Sequence, residues 1–354
     1  METFCGEPPS SADAPLAVFR VEELILRNFG GDLLEIEEGL HRIFCTIGGN
    51  KPLYQHVLVG SGIVWIDAGI AVTPQEAILP YMDRLERDGA AGGAGGRIAL
   101  ITHADVDHFG GLHALRARYP GMVAMAHGGD AGLIADMDRI LAERYRMHAP
   151  DGMDLPPERI RQLTERGGPP ARIDVVLAGG ETLHLGRAGD WKVLHAPGHS
   201  AGHIALWEER RRTAIIADAA LGFGVEDTAG NLVAPPPYYD ERAYLGTLRM
   251  LAELRPERIY TGHFPVFEGK RAERFLQDSL DAAEEIRSAL LSALRKAGRR
   301  TLRELCEEVG ERLGHWPAAA RGGLADPISA HLAVLRQSGR VERRPEDGSY
   351  VWIG

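Results

Sequence analysis

Seven residues carry metal-binding chemistry, and they fall at four places along the chain. The densest is Thr102-His103-Ala104-Asp105-Val106-Asp107-His108-Phe109-Gly110-Gly111. His103, Asp105, Asp107 and His108 offer four ligands within six residues. Imidazole nitrogen with carboxylate oxygen suits borderline divalent ions such as zinc, iron or manganese. Gly110-Gly111 lets a following helix pack closely. A solvated polar loop is the alternative reading, but four ligands at this spacing favour metal. The second place is His195-Ala196-Pro197-Gly198-His199-Ser200-Ala201-Gly202-His203. Its proline and glycines stiffen a turn that presents His199; His195 and His203 read as supporting residues. The third is Asp218, closing the apolar run Ile215-Ile216-Ala217. A carboxylate at a buried strand end is costly unless it binds something, a helix N-cap being the other option. The fourth is His263 in Tyr260-Thr261-Gly262-His263-Phe264-Pro265, which alone would read as an ordinary loop histidine. No serine-centred nucleophile motif competes.

Each place follows an apolar run of strand length: Arg97–Thr102, Trp191–Ala196, Thr213–Ala217 and Arg258–Thr261. Upstream, Leu33–Cys45 and Leu53–Ile66 read as strands joined near Gly48-Gly49-Asn50. Asp67-Ala68-Gly69 ends the second, and three-and-four spacing predicts a helix over Thr73–Asp88. Residues 88–96 are a glycine-rich surface loop. Residues 130–170 are mainly helical, with two proline-containing breaks, and suit a lid. Val175–Leu177, Glu181–Leu185 and His203–Trp207 add strands, and Glu241–Leu254 a helix. The fold class is α+β, with two sheets and helices outside.

After His263 the pattern changes. Arg271–Arg295 predicts a long amphipathic helix. Thr301–Leu313, Pro327–Gln337 and the pair Val341–Arg344 and Ser349–Ile353 read as helix, helix and hairpin, closed by Pro345-Glu346-Asp347-Gly348. That order spells a winged helix. Asp326-Pro327 suits a helix start and Gly339 its stop. The expected division is a loose segment 1–18, a catalytic domain 19–270, and a linker helix with winged-helix domain 271–354.

Composition sets bounds on the function. The chain has 354 residues, 44% hydrophobic and 25% charged, ordinary for a soluble globular protein. Cys5, Cys45 and Cys306 are too sparse for a disulfide framework and suit a reducing cytosol. Cys45, inside an apolar run, reads as structural. The first residues lack a signal-peptide pattern, and no run of about 18 apolar residues occurs, so a cytoplasmic protein without a membrane span is expected. The net charge of −10 is uneven. Residues 295–354 hold eleven Arg and Lys against eight Asp and Glu, leaving −13 on the rest. That charge repels phosphate backbones, so nucleic acid is not an expected partner.

In this order and at these separations, the four motifs resemble those of the metallo-β-lactamase superfamily. The resemblance covers roughly residues 30–265, and Asp67-Ala68-Gly69 matches that family's early Asp-x-Gly turn. It implies an αββα sandwich with metals at one edge. It implies that His103, Asp105 and His199 bind one ion, Asp107, His108 and His263 another, and that Asp218 bridges them. Asp105 is a departure, since most relatives have histidine there. One more anionic oxygen makes that site harder, favouring iron or manganese or weakening zinc. Two divalent ions are expected, zinc first, with iron or manganese as alternatives. The C-terminal part resembles the winged-helix tail of the β-lactamase-like protein 2 branch, whose relatives include an RNA-cleaving enzyme.

The expected reaction is hydrolysis by a metal-bridging water, with the ions polarising the substrate and stabilising the leaving group. Asp107 is expected to be both ligand and proton shuttle. Phe109, Phe223, Tyr238 and Tyr239 are expected to line the pocket, with core packing the alternative for each. Such walls suit a small ester, lactone, thioester or activated aryl substrate. An endoribonuclease or phosphodiesterase using the winged helix, a non-haem iron oxygen-dependent enzyme, and a regulatory protein without activity are the rival readings. A homo-oligomer or sister subunit is the expected kind of protein partner.

Overall fold

The computed structural model describes residues 35–90, 95–295, 298–346 and 349–353. The expected loose segment 1–18, the start of the strand expected from Leu33, the centre of the glycine-rich loop and the tip of the last hairpin lie outside them.

A seven-stranded sheet comes first, its strands in chain order: β1 (Glu35–Glu37), β2 (Leu40–Ile47), β3 (Lys51–Val59), β4 (Ile63–Ile66), β5 (Arg97–Ile101), β6 (Val123–His127) and β7 (Val175–Leu177). The pairs from β1 to β4 are antiparallel, and those from β4 to β7 are parallel. Parallel neighbours need crossover connections, and helices supply them. Leu79–Arg87 buries Tyr81, Met82 and Leu85, and Leu112–Arg118 buries Leu112 and Leu115. Both pack with Trp65, Ala99 and Ile101 of the sheet.

The second sheet uses β8 (Thr182–His184), β9 (Asp190–His195), β10 (Ile204–Glu208) and β11 (Thr213–Ala217). A separate hairpin, β12 (Val225–Glu226) and β13 (Leu232–Ala234), comes before β14 (Arg258–Thr261) and β15 (Phe267–Glu268). The sheet order is β15-β14-β11-β10-β9-β8. The parallel step from β11 to β14 is bridged by the Glu241–Leu254 helix, capped where Asp240 accepts from the Ala243 N–H at 2.9 Å. Leu40, Leu58, Ile66 and Leu100 of one sheet meet Trp191, Leu206, Ile215 and Tyr260 of the other. Helices cover both outer faces, so the expected α+β layering holds.

The Lys270–Leu294 helix serves two cores. Its first half, through Phe275 and Leu276, packs on the second sheet. Its second half, through Ile286 and Leu290, packs on a C-terminal unit. That unit contains β16 (Arg299–Thr301), helices Leu302–Leu313 and Ala325–Gln337, β17 (Glu342–Glu346) and β18 (Ser349–Ile353), in sheet order β16-β18-β17. A capping box between Thr301 and Glu304 starts the first helix. The second begins at Ala325, two residues before Pro327, and stops at Gly339, whose φ of +69° favours glycine. Among the described residues no helix is long and apolar enough to cross a membrane.

Candidate metal centre

β5, β9, β11 and β14 end at one edge of the sandwich, and the polar turns after them face each other. Two buried carboxylates tie those turns together. Asp67 follows β4 with a positive φ of 65°, a strained backbone that turns its side chain inward. Its Oδ1 accepts from the Thr102 N–H at 2.7 Å. Its Oδ2 accepts from Thr102 Oγ1 at 2.9 Å and faces His108 Nδ1 at 2.8 Å. Asp130, fully buried, accepts from the Ala104 N–H (2.8 Å), Ser200 Oγ (2.6 Å) and the Gly202 N–H (2.8 Å). It thereby locks the His103 turn to the His199 turn. Sequence reasoning missed Asp130, which looks like any acid in a helix's first turn.

The four histidines share one arrangement. Each Nδ1 lies against an oxygen: His103 at Thr102 Oγ1 (3.0 Å), His108 at Asp67, His199 at the Pro237 carbonyl (2.7 Å) and His263 at the Pro52 carbonyl (2.9 Å). With Nδ1 so engaged, Nε2 of each is left for the centre, as in metal-ligating histidines. His263 Nε2 lies 3.2 Å from Asp218 Oδ2 and 3.5 Å from Asp107 Oδ2. His108 Nε2 lies 3.7 Å from Asp218 Oδ1. His103 Nε2, His108 Nε2 and Asp218 Oδ1 are buried without a hydrogen-bond partner. Orphaned buried polar atoms are rare and call for an explanation. Three ligand groups meet here, each within 4.8 Å: His103, Asp105 and His199; His103, His108 and Asp218; Asp107, His108 and His263. All seven expected ligands are therefore brought together.

Acidic neighbours favour positive charge at the His108 end. Burial disfavours a charged His108, but Asp67 and Asp218 outweigh it and hold the imidazole up to about 10. Burial likewise opposes charge on His263, yet Asp218 lifts it to about 9. Backbone shape keeps this end open. A Cβ on Gly262 would lie 2.7 Å from Asp218 Oδ1 and 2.9 Å from His108 Cε1, so only glycine fits. Asp107, His108, His263 and Asp218 fit a divalent ion.

The Asp105 end is different. Arg144, buried on the Leu141–Tyr145 turn, clamps Asp105 with Nε on Oδ1 at 2.6 Å and Nη2 on Oδ2 at 2.7 Å. Tyr145 donates its hydroxyl to Oδ1 at 2.9 Å. Burial would raise the Asp105 carboxyl, but the Arg144 guanidinium wins and holds it well below the carboxylate range. Nη2 also lies 3.1 Å from His199 Nε2, and Nη1 donates to the His199 carbonyl at 3.0 Å. Sequence reasoning missed Arg144 and Tyr145. Nothing in a helical stretch some forty residues away marks them.

Of the four aromatics expected to line a pocket, only Tyr239 stands at the centre. Its ring centroid is 6.5 Å from that of His199, and Arg144 lies over it at 4.5 Å. Two expectations, Phe109 and Tyr238, need correction. Phe109 is core under the first sheet, where the short Val106–Phe109 helix turns it inward. Tyr238 stacks on Tyr244 at 4.3 Å and its hydroxyl lies 2.8 Å from His331 Nε2, so it points away from the site. Phe223 packs against His315 at 5.1 Å, and its carbonyl accepts from Trp316 Nε1. His203 stacks on His103 and His195 on His127, both in supporting positions.

This geometry agrees with the comparisons. The chain matches the family model described as the metallo-beta-lactamase superfamily over residues 57–263, from mid-β3 to the last histidine of the centre. The chain belongs to the metallo-β-lactamase superfamily. A cattle (Bos taurus) relative, acyl-coenzyme A thioesterase MBLAC2, is 30% identical over 210 residues, 57% of this chain and 67% of its own. A hydroxyacylglutathione hydrolase from Chelativorans sp. (strain BNC1) is 27% identical over 208 residues, 58% of this chain and 62% of its own. The chain spans from half to about two thirds of the three curated relatives it matches first. A beta-lactamase domain protein from Burkholderia ambifaria shares the fold with a TM-score of 0.67 at 18% identity, over 97% of each chain. As a member of this superfamily the chain is a metal-binding hydrolase.

Proposed function

We propose that this chain hydrolyses thioesters of small acyl groups, with related esters as poorer substrates. The observation that carries this is the buried set of unpartnered atoms, His103 Nε2, His108 Nε2 and Asp218 Oδ1, on residues whose ligand atoms lie within 4.8 Å of one another. A divalent ion held there, zinc by its nitrogen and oxygen ligands, would supply Lewis acidity toward the carbonyl and an acidified water. The protein's own residues do the rest. Asp107 is the exposed member: its side chain is 22% accessible, against 6% for His263. Its Oδ2 is therefore the atom placed to pass a proton between the site and bulk water. Asp67 and Asp130 hold the turns still, so the ligands need no rearrangement. Tyr239 and Arg144 wall the opposite side.

Basic side chains lie near Asp107 in a domain that is otherwise acidic. Burial and then Arg159 hold the Lys51 ammonium below its ordinary value, Asp107 pulls it back up, and Arg166 adds a further push down. Lys51 and Arg159, both within electrostatic reach of Asp107, suit a substrate that bears negative charge, as a coenzyme A or glutathione thioester does. The activities for which the cattle and Chelativorans relatives are named point the same way. We read the C-terminal unit as a winged helix used for packing, and the cell compartment as the cytoplasm.

The test is thiol release from an acyl-coenzyme A and an acyl-glutathione, compared with a matched oxygen ester. His263→Ala and Asp218→Ala should each lower turnover by about 100-fold or more and lower bound metal with it. Full turnover in either variant, with unchanged metal content, contradicts the proposal.

A further inference from the structure

Asp105 stands where a neutral ligand would leave one unit less negative charge, and Arg144 cancels that unit. The guanidinium cannot give up its proton in a protein, so it is a permanent cation inside the centre. Its fork matches the carboxylate in two parallel hydrogen bonds of 2.6 and 2.7 Å, the strong geometry for this pair. Tyr145 fills the remaining side of Oδ1. The Pro237 carbonyl accepts from His199 Nδ1 at 2.7 Å, and His199 Nε2 lies 2.9 Å from Asp105 Oδ2 and 3.1 Å from Arg144 Nη2, inside the same pair. At this end the ligand atoms already have a cation. On the other side His103 Nε2, His108 Nε2 and Asp218 Oδ1 have none, and these three residues offer atoms within 4.8 Å of one another.

We propose that Arg144 replaces one of the two ions: the centre holds one divalent ion, on the side of His103, Asp107, His108, Asp218 and His263, and a guanidinium at the Asp105 and His199 end. This deepens the metal-dependent reading above and rests on it. An ion entering the Asp105 end must share two ligands with a fixed cation, and the desolvated site strengthens their repulsion. Arg144 is also held rigidly. Its side chain is 5% exposed, Nη1 is anchored on the His199 carbonyl, and its plane lies against the Tyr239 ring. A preorganised donor at this distance can stabilise developing negative charge without reorganising. The Asp105 departure and Arg144 thus form one device, a carboxylate and its own counter-ion in place of a ligand and a metal.

Metal stoichiometry tests this without relying on activity. The intact protein is stripped with chelator, titrated with zinc by calorimetry, and analysed for bound zinc after dialysis. One tight equivalent is expected, with a second weaker by about 10-fold to 100-fold, the usual span for changes beside a metal ligand. Arg144→Met should tighten the second equivalent by a similar factor, because it leaves the Asp105 charge without a partner. Cobalt(II) offers a readout on the unaltered chain, useful if that variant fails to fold. One equivalent should give the paramagnetic resonance of an isolated ion, without coupling to a neighbour. Two equal equivalents, or a coupled cobalt pair at substoichiometric loading, overturn the proposal and leave the hydrolase reading standing. No tight equivalent at all overturns the hydrolase reading as well.

Discussion

His108 and His263 show how much this site depends on a cation. Burial alone would strip both of their protons, yet Asp67 and Asp218 hold them up to about 10 and about 9. Both lie above the value of about 6.5 expected in an unfolded chain. Their protons therefore stabilise the metal-free fold fully below about pH 6.5, and that contribution is lost as pH rises through about 9 to 10. A metal ion displaces the same protons. Zinc uptake at pH 7.5 should release protons, measurable by calorimetry in buffers of different ionisation enthalpy. Apparent affinity should climb with pH and level off above about 10. Proton release that does not change between pH 7 and pH 10.5 would remove these two histidines from the ligand set. The seven residues that meet at the centre were legible in the sequence because their types and the apolar runs before them are local signals. Arg144, Tyr145 and Asp130 were not. Their roles exist only once a helical insertion folds over the strand ends.

Turns after strands do most of the positioning, and Asp130 is the element-scale joint. It lies at the start of the Gly128–Ile134 helix yet binds two other turns, those of Ala104 and of Ser200 to Gly202. Asp130→Ala should leave three buried donors unsatisfied and cost about 3 kcal/mol or more. Denaturant unfolding would measure it, and zinc affinity should fall because the His103 and His199 turns lose their common anchor. Asp130→Asn, which keeps an acceptor, should recover part of both; equal stability of all three proteins would show that the joint carries no load. Most elements were legible here too. Val175–Leu177, Thr213–Ala217, Glu241–Leu254 and Arg258–Thr261 lie where apolar pattern puts them. The strand Val123–His127 was hidden, because its inward positions are Ala124 and Ala126, small residues with little strand preference. The first turn of the helix expected from Thr73 is wider than expected, Pro74–Ile78 forming a π-helical turn before the regular Leu79–Arg87.

Across the whole molecule, the C-terminal unit braces the walls of the site. His148 Nε2 lies 2.9 Å from Asp326, Arg343 clamps Asp151 at 2.8 and 2.9 Å, and His331 joins Tyr238 to Glu241. Two of these contacts fall on the segment just after Arg144 and Tyr145, so the distal unit fixes the turn that reaches Asp105. Order of helices and hairpin made this unit visible in the sequence, but not its docking, since contacts between Asp151 and Arg343 span almost 200 residues. The ends of β5, β11 and β14 supply the side chains that would hold the ion, and hydrolysis by this chain should depend on that ion. The most direct measurement is thioester hydrolysis by the full protein before chelation, after it, and after return of zinc, with bound metal counted at each stage. Activity should vanish with the metal and return in proportion to the zinc restored. Unchanged hydrolysis by protein proven free of metal would contradict the account.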